Sequence, residues 1–145
     1  MQASSHTTQN PGIAKIKALL LAAQPGLDAE ARALSVAFRQ PLHAPGDSIP
    51  DRSPAIAVLI EHLKALRSDV EGTTVEGAAA VNARDLTVHA LQQTEQALTK
   101  LAETYAAPDQ KSAIILLSES NHLLKDAKAT SVKAGKALGI PWPLK

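Results

Sequence analysis

Glu119 and His122 stand three residues apart in the stretch SESNHLLK, 118–125, and on a helix that spacing places a carboxylate and an imidazole on one face. Both groups can ligate metal or move a proton, and Lys125 adds an ammonium three residues further on. A dimetal site built this way requires a second Glu-x-x-His pair and two further glutamates. No second copy occurs, and His6, His43, His62 and His89 have no convincing partner spacing, so no metal ligand is assigned. The absence of cysteine removes thiolate sites, disulfides and cysteine nucleophiles. There is no glycine-rich phosphate loop, G-x-S-x-G elbow or H-E-x-x-H motif either. The chain is therefore not expected to be an enzyme, and no catalytic residue or cofactor is assigned.

A helical wheel gives His122 a different setting. At about 100° per residue, Lys125, Lys128, Lys133 and Lys136 share one face, and His122 falls on that side. Leu116, Leu123, Ala127, Thr130, Ala134 and Leu138 gather on the opposite side. The segment reads as an amphipathic helix with a small-residue seam inward and ammonium groups outward, and His122 is expected in solvent. Lysines in a last turn also complement the negative end of the helix dipole. No arginine or aromatic residue lies among them, so base stacking is missing and only weak attraction to phosphate remains.

Three resemblances bear on function. His122, Leu124 and Lys125 resemble part of the histidine phosphotransfer motif H-x-L-K-G, with Asp126 at the place of its glycine; that likeness implies a helical bundle carrying phosphate on His122. Tyr105 and Asp109 match the Y-x-x-x-D pattern of helical-hairpin substrates of type VII secretion, which implies a secreted helical substrate or effector. The Ser120, Ala127, Thr130 and Ala134 seam, with Thr87 and Thr94 earlier, resembles in composition the rod bundles of talin and vinculin. Small residues of that kind let helices approach closely but bury less area per residue.

The elements that must position these residues follow from composition and punctuation. With 145 residues, 45% hydrophobic, 20% charged and a net charge of +1, the chain suits one soluble domain and has no global field to draw in nucleic acid or anionic lipid. Alanine and leucine dominate, and Phe38, Tyr105 and Trp142 are the only aromatic residues, a balance that favours helix over strand. Residues 1–9 read as a flexible N-terminus. Asn10-Pro11 opens a helix, Pro25-Gly26 ends it, and Asp28 caps a second that stops before Pro41. The proline-rich segment 40–52 reads as a loop. Ser53-Pro54 starts a third helix along Ile56, Leu59, Ile60, Leu63, Leu66 and Val70, and EGTTVEG, 71–77, breaks it, with a capping box from Thr73 to Glu76. Two long helices of similar length, each about 45 Å, then flank Pro108 as an antiparallel hairpin. Gly139 ends the last in a left-handed turn, and residues 139–145 form an extended tail held by Pro141 and Pro143.

The expected fold is all-α, an antiparallel bundle of four to five helices over 10–138 with two long C-terminal helices as its spine. Leu63, Leu91, Leu98 and Leu123 are expected in the core. The function expected first is a non-catalytic protein interaction or assembly module, with another protein or a second copy as partner. A type VII-like secreted substrate is the alternative, and phosphotransfer through His122 comes third. Partner-binding residues are assigned to the tail and the lysine face: Ile140, Trp142, Leu144, Lys125, Lys128 and Lys136. Trp142 is expected to fold back over the bundle end in preference to docking on a partner. Nucleic acid is disfavoured, and membrane contact is limited to weak adsorption of the basic C-terminal helix. The N-terminal segment lacks a basic n-region, and a cytoplasmic location is preferred to a secreted one.

Overall fold

A computed structural model describes residues 11–39 and 53–140, with the backbone alone over 30–39 and at Ser53. The expectations for residues 1–10, the 40–52 loop, Trp142 and Leu144 lie outside the described residues. The described chain forms four helices: α1 (Pro11–Arg39), α2 (Ser53–Glu71), α3 (Ala78–Ala106) and α4 (Gln110–Leu138). No strand occurs among the described residues. The all-α bundle with two long C-terminal helices is thus the architecture found, and α3 and α4 have 29 residues each.

The expected break at Pro25-Gly26 does not form, and Asp28 is not a cap. α1 runs through Pro25 for 29 residues. Proline removes one helical hydrogen bond and crowds the preceding turn, at a cost of about 3 kcal/mol. Two things offset it. Gln24, only 7% exposed, donates from Nε2 to Asp28 Oδ1 at 2.6 Å and so bridges the proline turn. The apolar stripe also continues across it: Ile16 and Leu20 are buried before the proline, and Ala23 and Leu27 pack on the core on either side. One buried leucine contributes about 1.5–3 kcal/mol, so the stripe holds the helix together. Pro25 itself is exposed. Pro25→Ala is therefore expected to stabilise the protein, by about 1–2 kcal/mol, read as a rise in the denaturation midpoint. A fall would show that the ring is needed for packing.

The break over 72–77 is present, but the Thr73–Glu76 capping box is not. Thr73 is buried and works on the preceding helix, donating from Oγ1 to Asp69 O at 2.8 Å, while Gly72 N reaches Ser68 O at 3.0 Å. These bonds satisfy carbonyls that the end of α2 leaves open. The N-cap of α3 is Gly77 at φ 92°, with no side-chain cap; its left-handed φ is one that side chains rarely adopt. Arg84 Nη1 donates to Thr73 O at 3.3 Å and ties the turn to α3. Gly12 lies hard against the carbonyl of Thr74 and the Val75 side chain, leaving no room for a Cβ, so the start of α1 sits at the end of α2 and the two helices are antiparallel.

α3 is the central helix. It packs against α4 along its length and against α2 and, to a lesser extent, α1, whereas α4 barely touches α1 or α2. The α3–α4 seam is narrow: Ala90, Ala97 and Ala134 are fully buried, with Ala127 close to it. Ser120, also fully buried, donates from Oγ across the seam to Ala97 O at 2.8 Å. Thr87 Oγ1 returns to Ala83 O at 2.8 Å, which lets a hydroxyl sit in the core without an unmet donor. Leu63, Leu91 and Leu98 are buried as expected. Leu123 is not; it is half-buried, like Leu116 and Thr130, and Ser131 and Gly135 take places in the seam instead. One neighbouring helix covers a narrower stripe than two, and α4 has essentially one neighbour.

Asp109 caps α4, its Oδ1 accepting from Ser112 N at 2.7 Å. That backbone hydrogen bond from Ser112, followed by a side-chain one from the same residue, holds the Asp109 carboxyl below its ordinary value. A depressed carboxylate adds stability above its unfolded pKa and loses it as pH falls through the folded value. The first turn of α4 is therefore expected to loosen under acid, below the ordinary carboxylate range. Amide exchange at Ser112 and Ala113 checks this, and Asp109→Ala should show the same loosening at neutral pH.

Candidate functional site

His122 is exposed, and so are Glu119, Lys125, Lys128, Lys133 and Lys136, as the wheel places them. Glu119 Oε2 pairs with Lys100 Nζ at 3.6 Å and so faces α3. Among the described residues no group of three or more His, Asp or Glu side chains comes together in a form that could hold a metal ion. Tyr105 and Asp109 both have structural employment, Tyr105 half-buried against the core and Asp109 as the cap of α4. No observation favours reading them as a recognition motif.

Gly139 adopts the expected left-handed conformation at φ 75°. Its N–H reaches Lys136 O at 3.2 Å, and Ile140 N reaches Gly135 O at 3.0 Å, closing the helix end. Ile140 is half-buried and packs on the core, so of the tail residues assigned to partner binding it serves the end of the bundle.

A concavity that no motif announced lies beside the central helix. Because α2 and α4 both rest on α3 but barely meet each other, a groove of about 610 Å³ opens between them. α2 contributes Ile60, Lys64 and Arg67, α3 contributes Glu95, Thr99, Lys100 and Glu103 among others, and α4 contributes Leu123. Ile115, Glu119 and Leu123 follow at four-residue spacing along α4, so they form a ridge beside the groove. Ile115 is 52% exposed and its neighbour Ile114 59%. From Gln110 to Glu119 no side chain of α4 is fully buried.

Arg67 and Glu95 fix the α2 wall to the floor. Arg67 Nε donates to Glu95 Oε2 at 2.6 Å and Nη2 to Oε1 at 3.2 Å, a two-point pair, while Nη1 reaches Glu71 Oε1 at 2.7 Å. The hydrogen bond to Glu95 raises the Arg67 pKa above its ordinary value, against the opposing effect of burial. The guanidinium is thus a permanent cation at the rim. Its signal in the sequence is positional. Arg67 lies between Leu63 and Val70, and Glu95 between Leu91 and Leu98, so opposite charges interrupt two apolar stripes where the helices meet. No helix among the described residues is long and apolar enough to cross a membrane. No protein-family model, curated protein or solved structure matches the chain.

Proposed function

We propose that this chain is a non-catalytic interaction or assembly module that receives a helix of a partner protein in the groove between α2 and α4. The observation that carries the reading is the open side of α3. A further helix laid there would contact Ile60 on one wall and Leu123 on the other, continue over exposed Ile115, and complete the bundle. Amphipathic helices bind such grooves through apolar anchors at three- and four-residue spacing. Charges of both signs at the rim, Lys64, Arg67 and Lys100 with Glu103, would fix register and discriminate between partners more than they add affinity.

Affinity capture from a lysate of the source cell with Thr99→Arg and Ile115→Asp tests the reading. Each change puts a charge where an apolar contact is expected and should weaken the captured partner about tenfold or more. His122→Gln should leave it unchanged. Undiminished capture by Thr99→Arg would remove the groove from consideration, and loss with His122→Gln would bring phosphotransfer forward.

A further inference from the structure

The outer face of α4 is independent of the groove and differs from it in charge. Lys111, Lys125, Lys128, Lys133 and Lys136 are all exposed, and at about 100° per residue they fall within an arc of about 140°. The two acids of α4, Glu119 and Asp126, fall outside that arc, and Glu119 is held by Lys100. None of the five lysines forms an ion pair among the described residues. From first to last they span about 38 Å of straight helix. Ile114 at 59% exposure and Val132 at 41% lie near the middle of the arc, and Ile115 falls on its groove-side edge.

We infer that this face adsorbs to an anionic phospholipid bilayer. The lysines occupy the middle of the face and do not flank an apolar seam. A partner helix packed there would bury ammonium groups at its centre, and a buried charge without a partner is costly. A second copy would set lysine against lysine. At a bilayer the ammonium groups remain in headgroup water beside lipid phosphates, on stems long enough to let Ile114 and Val132 reach the acyl boundary. A nucleic acid offers the same phosphates but nothing for the isoleucine and valine, and the face has no arginine or aromatic side chain to engage bases. Binding is peripheral, since no described helix can span the membrane.

The test is co-sedimentation of the full chain with vesicles of phosphatidylcholine alone and of phosphatidylcholine with about 30% phosphatidylglycerol. Binding is expected only to the anionic vesicles and should fall steeply between about 0.05 and 0.5 M salt. Each lysine changed to glutamine at 125, 128, 133 or 136 should weaken it about fivefold. Ile114→Ser, which leaves the charge unchanged, should weaken it with a smaller change in salt dependence. All these positions are exposed, and circular dichroism of each variant verifies that the helices remain. Thr99→Arg separates this inference from the groove, because it should leave vesicle binding intact whatever it does to a protein partner. Equal affinity for neutral vesicles, no binding to either, or tighter binding to a DNA duplex than to anionic vesicles would each overturn the inference.

Discussion

Arg67→Met is expected to destabilise the protein by about 2–3 kcal/mol, and adding Glu95→Leu should recover most of the loss. The single change strands a carboxylate whose side chain is 10% exposed between α2 and α3. Breaking a buried ion pair typically costs about 3–5 kcal/mol, whereas replacing both partners by apolar groups is close to neutral. The Arg67 side chain is 25% exposed, so solvent screens part of the effect, and the lower figure is used. Glu71, the second partner, is 47% exposed and is solvated when released. Urea unfolding of the wild type, the single variant and the double variant reads all three. A single variant within about 0.5 kcal/mol of wild type would mean that the pair does not hold the two helices together.

Leu91→Ala should cost about 2–5 kcal/mol, while Leu123→Ala should cost no more than about 1. Leu91 is 2% exposed in the middle of the central helix, so truncation leaves a cavity that its neighbours cannot fill. Leu123 is half-buried and lines the groove, where water takes the vacated space. The contrast bears directly on the open architecture, because the two leucines look alike in sequence. Equal costs would show that something else covers α4 and that the groove is closed.

Much of this fold can be read from the chain. The stripe from Ile56 to Val70, the break over 72–77, the Pro108 turn and the Gly139 cap each follow from a local rule and appear where the rule puts them. Local rules fail where a tertiary contact outweighs them. Pro25 reads as a stop, but Leu20 and Leu27 join the core on both sides of it, and Gln24 bridges the turn. Thr73 and Glu76 have the spacing of a cap, but Thr73 finds a nearer carbonyl at the end of α2. Leu123 fails for a different reason. Periodicity tells which face of a helix is apolar and not how many neighbours cover it. The groove has the same origin, since it exists only because α2 and α4 rest on α3 and barely meet. The interrupting charges Arg67 and Glu95 were the available signal, and their meaning depends on knowing that those two stripes face each other.

The central claim is that the open side of α3 between α2 and α4 is where a partner helix binds. The most direct measurement places a photoreactive side chain at Thr99, exposed on the groove floor, and at Asn82, exposed near the other end of the same helix. Irradiation in lysate of the source cell is expected to give one discrete adduct from position 99, mapped by mass spectrometry to a helical segment of the partner, and none from position 82. An adduct from position 82 with none from position 99, or the same adducts from both, would contradict the account.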